Sequence, residues 1–169
     1  MGGICLEFLS AEGEEQSIGG LTQGHIVLSG PDSKCSSLDR GNTVMLVLSI
    51  IDLVGGLLPF LTTRLGGRQY AFRGIDASYS LKFVRKKSVI VIYCGARALE
   101  DNRIGVTTET DLVAAVSSAL DQFDKKCRKP NHTSLLAGEI TDQWEYDILT
   151  TYQSMTARWR EVFGSTFPQ

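Results

Sequence analysis

Two short segments near the start of the chain alternate apolar and polar residues, which is the pattern of half-buried β-strands. In residues 3–9 every second position is apolar, and residues 25–29 repeat this pattern at Ile26 and Leu28. Residues 11–20 between them are rich in glycine and carboxylates, which predicts a solvated acidic loop. We therefore expect two strands joined by an exposed connection.

The most apolar stretch, residues 42–62, is long enough to raise the question of a membrane span. Its polar positions share one stripe at helical spacing: Asn42, Ser49, Asp52 and Gly56. A carboxylate such as Asp52 at the centre of a lone span costs about 2.5–3.5 kcal/mol, so the stretch is interpreted as a buried helix with one wet stripe. Gly55, Gly56 and Pro59 are predicted to end or break it.

Three further segments predict an antiparallel meander. Residues 69–75 and 78–84 alternate aromatic or apolar residues with polar ones, and residues 88–94 form a continuous apolar run. Alternation is typical of strands with one exposed face, whereas a continuous apolar run is typical of a central strand covered on both faces. Short turns join the three.

Two helices are predicted after the meander. Thr108 with Asp111 three residues later is a variant of the capping box. In the helix that follows, the apolar residues Leu112, Val116, Leu120 and Phe123 share one face. Residues 139–165 form a long amphipathic helix whose apolar stripe consists of Trp144, Ile148, Tyr152, Met155, Trp159 and Phe163. That stripe either packs on the same domain or docks onto a partner or a second copy of the chain.

The order β-β-α-β-β-β-α-α predicts an α+β fold, with a mostly antiparallel sheet of about five strands packed against helices. We expect a core domain over residues 1–128, a linker over 129–138, and the C-terminal helix over 139–165 packed on the same single domain.

Composition agrees with one globular core. The chain has 169 residues, of which 43% are apolar and 21% charged, with a net charge of −2. These values exclude a disordered, collagenous or coiled-coil chain, and the absence of a basic excess argues against nucleic acid as a partner.

The cysteines and the N-terminus bear on the compartment. The four cysteines show no C-x-x-C spacing, and we expect Cys5, Cys94 and Cys127 to be buried thiols. The first residues lack the pattern of a secretory signal. The prediction is a cytoplasmic protein without a membrane segment.

Catalytic and cofactor motifs are missing from the sequence. No phosphate-binding glycine loop opens a helix, and neither Gly-x-Ser-x-Gly nor His-Glu-x-x-His occurs. His25 and His132 are the only histidines, so neither a cysteine nucleophile nor a metal site finds a local partner. We expect no catalytic residue, no metal and no cofactor.

Charge is segregated along the chain. Between Arg64 and Ser88, seven basic residues stand against one acidic residue, a net charge of +6. The basic face predicted from this segment consists of Arg73, Lys82, Arg85, Lys86 and Lys87. Such bases either steer an acidic partner or flank an edge strand and prevent aggregation.

The opposite charge collects elsewhere. Residues 1–34 carry a net charge of −4 and residues 129–169 a net charge of −2. The acidic candidates for partner binding are Glu12, Glu14, Glu15, Asp142, Glu145 and Asp147. We favour this acidic set over the basic face, because many proteins that act on nucleic acid are basic and would complement it.

A family resemblance gives these features a function. Residues 36–40, the polar-striped helix over 45–53 and the Gly-x-Asp-x-Ser-aromatic hairpin within 70–83 resemble small bacterial immunity proteins, which are encoded beside polymorphic or contact-dependent toxins. The similarity covers residues 24–95. It implies a non-catalytic protein that binds a cognate toxin domain and neutralises it in the cytosol.

Two other functions stay open. A small enzyme or ligand-binding domain would need a site between sheet and helices, where Asp52, Asp76, Tyr79 and His25 are the candidates. A homodimeric structural or adaptor subunit would use the C-terminal stripe, through Trp144, Tyr152 and Trp159.

Overall fold

The computed structural model describes residues 3–11, 19–63, 67–75, 78–127 and 143–164. Within these ranges the chain is α+β, as predicted, with two antiparallel sheets of four strands each and three α-helices. The apolar faces of both sheets and the helices enclose one core.

The first sheet is built around a central strand, β2. Its strands are β1 (Cys5–Ser10), β2 (Gln23–Ser29), β3 (Lys34–Ser36) and β4 (Val44–Met45). Both β3 and β4 pair with β2, at Val27–Ser29 and at Gln23–Gly24 respectively. The alternation of Leu6 and Phe8 towards the core is confirmed.

The second sheet contains the predicted meander and one more strand. Its order is β5 (Gln69–Arg73), β6 (Ser80–Lys86), β7 (Val89–Cys94) and β8 (Arg103–Thr107). The four residues Ile90–Tyr93 are all buried, so the prediction of a central strand covered on both faces is confirmed.

The prediction of about five strands in one sheet was too low. The structure adds β3, β4 and β8 and divides the strands between two sheets. β3 and β4 have three and two residues, which are too few to show an alternating pattern in the sequence. In β8, a bulge opposite Ile92 and Tyr93 of β7 interrupts the register.

Helix α1 (Leu46–Thr62) continues without interruption past the residues that were expected to break it. Pro59 lies inside the last turn, where an internal proline costs about 3 kcal/mol or more. Leu57 and Phe60 on either side of it are buried, and each burial contributes about 1.5–3 kcal/mol. This packing outweighs the cost of the proline, and the predicted break was wrong.

The polar stripe of α1 is only partly exposed to solvent. Asp52 is exposed, but Ser49 is fully buried, and its Oγ accepts a hydrogen bond of 2.9 Å from the backbone N–H of Ile75. Gly56 leaves room for the ring of Tyr70, which a Cβ at that position would strike. Among the described residues, no helix combines the length and the apolar character that crossing a membrane requires.

Helix α2 (Glu109–Cys127) begins as predicted. The Thr108 hydroxyl accepts a hydrogen bond of 3.1 Å from the backbone N–H of Asp111 and donates one of 2.9 Å to its carboxylate. The predicted core face is buried at Leu112, Val116, Leu120 and Phe123.

Helix α3 (Gln143–Phe163) packs against α1 and α2. Tyr152 and Trp159 are buried there, and Met155 faces Gly55 of α1. The predicted linker, residues 129–138, lies outside the described residues, as do 139–142 at the start of the predicted helix and 165 at its end.

The cysteine prediction needs correction. Cys35 in β3 and Cys94 at the end of β7 form a disulfide between the two sheets, and Cys5 is exposed. The side chain of Cys127 lies outside the described part of the chain. Cys35 and Cys94 are far apart in sequence, so no local spacing signals their pairing.

Candidate partner-binding surface

The second sheet has one face towards the core and one face away from it. On β6, Leu81 and Phe83 are buried, so strand alternation places Lys82, Val84 and Lys86 on the opposite side. We call that side the outer face. Antiparallel register extends it across the neighbouring strands.

An apolar row crosses the centre of the outer face. Val84, Val91 and Val106 lie directly opposite one another on β6, β7 and β8. Val91 is 5% exposed and Val106 is 41% exposed, so the row opens to solvent towards β8. The sequence prediction missed Val106 because β8 was not recognised as a strand.

Basic residues lie along the β5 and β6 side of this sheet, both on the outer face and at the end of β5, where Arg68 lies opposite Arg85. We call them the basic edge, defined as Arg68, Arg73, Lys82, Lys86 and Lys87. Lys82 is half-buried and the other four are exposed. Within the described ranges, no ion pair joins any of the five to a carboxylate. Of the five residues predicted for a basic face, strand alternation places Arg73, Lys82 and Lys86 on the outer side, and Lys87 follows in the turn after β6.

Arg85, the fifth predicted residue, points the other way. It shares the core side of β6 with Phe83, and its guanidinium donates to the backbone oxygen of Phe60 at 2.7 Å. The same group lies 5.1 Å from the centre of the Phe60 ring and forms an ion pair with Glu109. Arg85 therefore joins β6 to α1 and α2, and it does not belong to the basic edge.

Arg103 at the β8 end of the outer face is already neutralised. Its Nε donates to Asp32 at 2.6 Å and its Nη1 donates to Glu100 at 2.7 Å. The hydrogen bond to Asp32, followed by the charges of Asp32 and Glu100, raises the pKa of Arg103. Among the described residues, the positive charge of this sheet that has no ion pair is therefore concentrated at β5 and β6.

The acidic set is only partly described, and its described members have internal partners. Glu145 accepts a hydrogen bond of 3.1 Å from the backbone N–H of Gly20, which ties the β1–β2 connection to α3. Asp147 accepts one of 2.9 Å from the side chain of Gln143. The other members lie outside the described residues: Glu12, Glu14, Glu15 and Asp142.

The C-terminal aromatic stripe is divided between core and surface. The Tyr152 hydroxyl donates to Asp124 at 2.7 Å, and Trp159 Nε1 donates to Ser117 at 3.0 Å. Both side chains are buried against α2, whereas Trp144 is 57% exposed. Of the three residues predicted for a homodimer, the chain itself covers two.

The residues proposed for an enzyme site have separate surroundings. Asp52 is exposed on α1, while the Tyr79 hydroxyl is buried and donates to the backbone oxygen of Cys35 at 3.4 Å. His25 Nδ1 lies 3.3 Å from the hydroxyl of the fully buried Ser37, which also accepts from the N–H of Ile26. Asp76 lies outside the described residues. The described hydrogen bonds of Tyr79, His25 and the Asp52 backbone go to different partners.

A metal site is not found in the described ranges either. No group of three or more histidine, cysteine, aspartate or glutamate side chains comes together there in a geometry that could hold an ion. Every buried side-chain nitrogen and oxygen that the structure describes has a hydrogen-bond partner.

The hydroxyl of Tyr70 has a clearly perturbed acidity. Burial, followed by the nearby charge of Asp52, raises the pKa of its hydroxyl well above the ordinary value. That hydroxyl donates to the backbone oxygen of Asp52 at 2.9 Å, and the ring stacks on Phe83 with centroids 5.8 Å apart. These contacts give Tyr70 a structural role in joining β5 to α1.

Comparison with known proteins assigns no family to this chain. The likeness to immunity proteins therefore stays an expectation based on the motif residues alone. No protein-family model, curated protein or solved structure matches the chain.

Proposed function

We propose that this chain is a non-catalytic protein of the toxin-immunity kind, which binds an acidic surface of a cognate toxin domain and neutralises it. The observation that carries the proposal is the grouping, along β5 and β6, of five cations that have no ion pair among the described residues. Arg85, Arg103 and Arg160 each pair with a described carboxylate, whereas the five residues of the basic edge have no such ion pair in the described chain.

Cations that cluster without a described ion pair repel one another, and an opposing acidic surface relieves that repulsion. Complementary charge also increases the rate of encounter and discourages wrong partners. The apolar row runs beside the basic edge, and its exposed end at Val106 supplies an apolar contact of the kind that protein interfaces use. Both features favour a protein partner.

Nucleic acid is the less favoured partner for this surface. A sheet that binds single strands presents exposed aromatic rings on which bases stack. The aromatic residue on the outer face, Tyr93, is only 2% exposed. The chain as a whole is also slightly acidic, with a net charge of −2.

The basic edge is now preferred over the acidic set as the binding surface. Glu145 and Asp147 already accept hydrogen bonds within the chain, so binding through them would disturb the contact between α3 and Gly20. The toxin surface that fits is therefore acidic, the reverse of the partner favoured from the sequence.

Cytoplasm is the proposed location, because an immunity protein protects the interior of its own cell. Disulfides are rare in that compartment, so the state of Cys35 and Cys94 tests the location directly. Because Cys35 is buried in the fold, host cells are quenched in acid and the protein is denatured before its thiols are labelled with a maleimide, and we expect both residues to be modified. Protection of both, with Cys5 modified, would contradict a cytoplasmic location.

A capture experiment tests the function. The tagged chain is incubated with extract of the host that encodes it, and bound proteins are identified by mass spectrometry after a wash with high salt and elution. The proposal expects a toxin domain whose activity is lost on binding. Capture that is equal with the Lys82→Glu/Lys86→Glu variant, or no inhibition of the captured protein, would contradict it.

A further inference from the structure

Alternate residues of β5 make the backbone hydrogen bonds to β6. Arg85 N–H donates to the oxygen of Arg68 at 2.8 Å, and Gly74 N–H donates to the oxygen of Tyr79 at 2.8 Å. In an antiparallel pair, hydrogen-bonded positions alternate along the strand. The even-numbered residues of β5 therefore bond to β6, and the odd-numbered residues direct their N–H and C=O groups away from it.

Those outward groups belong to Gln69, Ala71 and Arg73, and all three residues are exposed. β5 is the terminal strand of its sheet, and no described strand lies beyond it. Unpaired edges of this kind are templates for pairing with another chain, and native proteins usually shorten, bend or cover them. β5 has five residues, contains no proline, and pairs with β6 in unbroken register.

The side chains around the β5 edge are basic and favour a partner segment that carries negative charge. Arg68 and Arg73 stand at its two ends, and Lys82 lies directly across from Ala71 on the outer face. A residue added opposite Ala71 would lie two strand spacings, about 9.5 Å, from Lys82. The alanine methyl leaves that space open, so the lysine side chain reaches a carboxylate on the added strand.

From this geometry we propose that β5 takes an extended acidic segment of the partner as an added edge strand. The inference rests on the proposed function, and it names the binding mode and the kind of segment. Backbone hydrogen bonds to Gln69, Ala71 and Arg73 supply affinity, as in other cases of strand addition. Alternate carboxylates of the segment contact Arg73 and Lys82 on the outer face.

A second copy of this chain is the less suitable occupant. Pairing β5 with its own copy would bring two sets of the same cations together, and neither edge would supply a carboxylate. Charge of this sort at an edge disfavours self-association while attracting an acidic strand.

The test uses the full chain and a peptide of about nine residues with alternating glutamate and valine, long enough to span β5. Amide hydrogen exchange is followed by NMR with and without the peptide. The inference expects exchange to slow about tenfold or more at Gln69, Ala71 and Arg73. The amides of Tyr70 and Phe72, which face β6, serve as internal controls and change little.

Ala71→Pro provides the matching variant. Proline is tolerated at an edge position whose N–H faces solvent, so the variant is expected to fold, but it removes a donor from the middle of the edge. Peptide affinity is expected to fall about tenfold or more. Ala71→Ser keeps the donor and should bind as the wild type does. The exchange measurement on the wild type needs no variant and stands if the proline variant does not fold.

The outcomes separate the two proposals. If Lys82→Glu weakens the peptide but Ala71→Pro does not, acidic binding at the sheet stands and strand addition is wrong. If neither variant changes peptide binding and the three amides exchange as before, neither proposal survives. Protection of the three amides that rises with protein concentration in the absence of peptide would identify a second copy as the occupant and overturn the inference.

Discussion

Cys35 in β3 and Cys94 at the end of β7 are joined by a disulfide, with their Cα atoms 5.5 Å apart and a sequence separation of 59. The bond links the first sheet to the second. A cross-link over a loop of this size restricts the unfolded chain, which the loop-entropy model values at about 4 kcal/mol.

Reduction of this disulfide is predicted to lower the free energy of unfolding by about 2–4 kcal/mol. Urea unfolding with and without dithiothreitol measures the change, and Cys5→Ser provides a control that leaves the disulfide intact. Equal midpoints for the oxidised and reduced protein would show that the bond contributes nothing to stability.

Arg85 and Lys82 are predicted to behave differently although both lie on β6. Arg85→Gln removes the contacts with Glu109 and Phe60 and should destabilise the fold by about 1–2 kcal/mol, since both partners of the ion pair are partly exposed. Lys82→Gln removes no described internal contact and should change stability by less than about 0.5 kcal/mol. Urea midpoints of the two variants check this, and equal losses would place Arg85 on the surface instead.

Trp159 is predicted to be a core residue and not a dimer contact. Trp159→Ala should cost about 3–5 kcal/mol, because a fully buried ring and the hydrogen bond to Ser117 are lost together. Trp144→Ala, at an exposed position, serves as the control and should cost far less. Thermal unfolding and light scattering together are decisive: a folded Trp159→Ala monomer derived from a wild-type dimer would contradict the assignment.

The raised pKa of the Tyr70 hydroxyl predicts that the protein loses stability in alkaline solution. Burial and Asp52 raise its folded pKa above the ordinary value of 10.0, so above that pH the unfolded chain ionises while the folded hydroxyl stays protonated. The free energy of unfolding should then fall by up to about 1.4 kcal/mol for each further pH unit. Tyr70→Phe should show a shallower decline, and urea unfolding between pH 9 and 11 measures both proteins. Parallel declines would rule out this role of Tyr70.

Much of the fold followed from periodicity. The core faces of β1, β6 and α2 were predicted correctly because each repeats its pattern over several residues, as at Leu81 and Phe83 or at Leu112 and Val116. β3 and β4 are too short for that repetition, and a bulge interrupts the alternation of β8, so these three strands were not recognised. The disulfide was not foreseen, since its cysteines are far apart in sequence and meet only when the two sheets pack.

The candidate surface was predicted in part. Charge counting found the basic segment, but it assigned Arg85 to the same face as Lys82 and Lys86. Strand alternation separates these residues, and Arg85 lies an odd number of positions from each of the other two. Val106 and the outward backbone groups of β5 depend on which strands are neighbours, information that a single sequence does not contain.

The central claim is that the basic edge binds the partner. The most direct measurement is the association rate constant of the captured toxin domain with the wild type and with Lys82→Glu/Lys86→Glu, at low and high salt. We predict a fall of about tenfold or more at low salt that shrinks as salt rises, because screening weakens exposed charges. Lys125→Glu/Arg158→Glu carries the same change of charge on the helices and should have a smaller effect. Equal rates for the wild type and the β6 variant at both salt concentrations would contradict the claim.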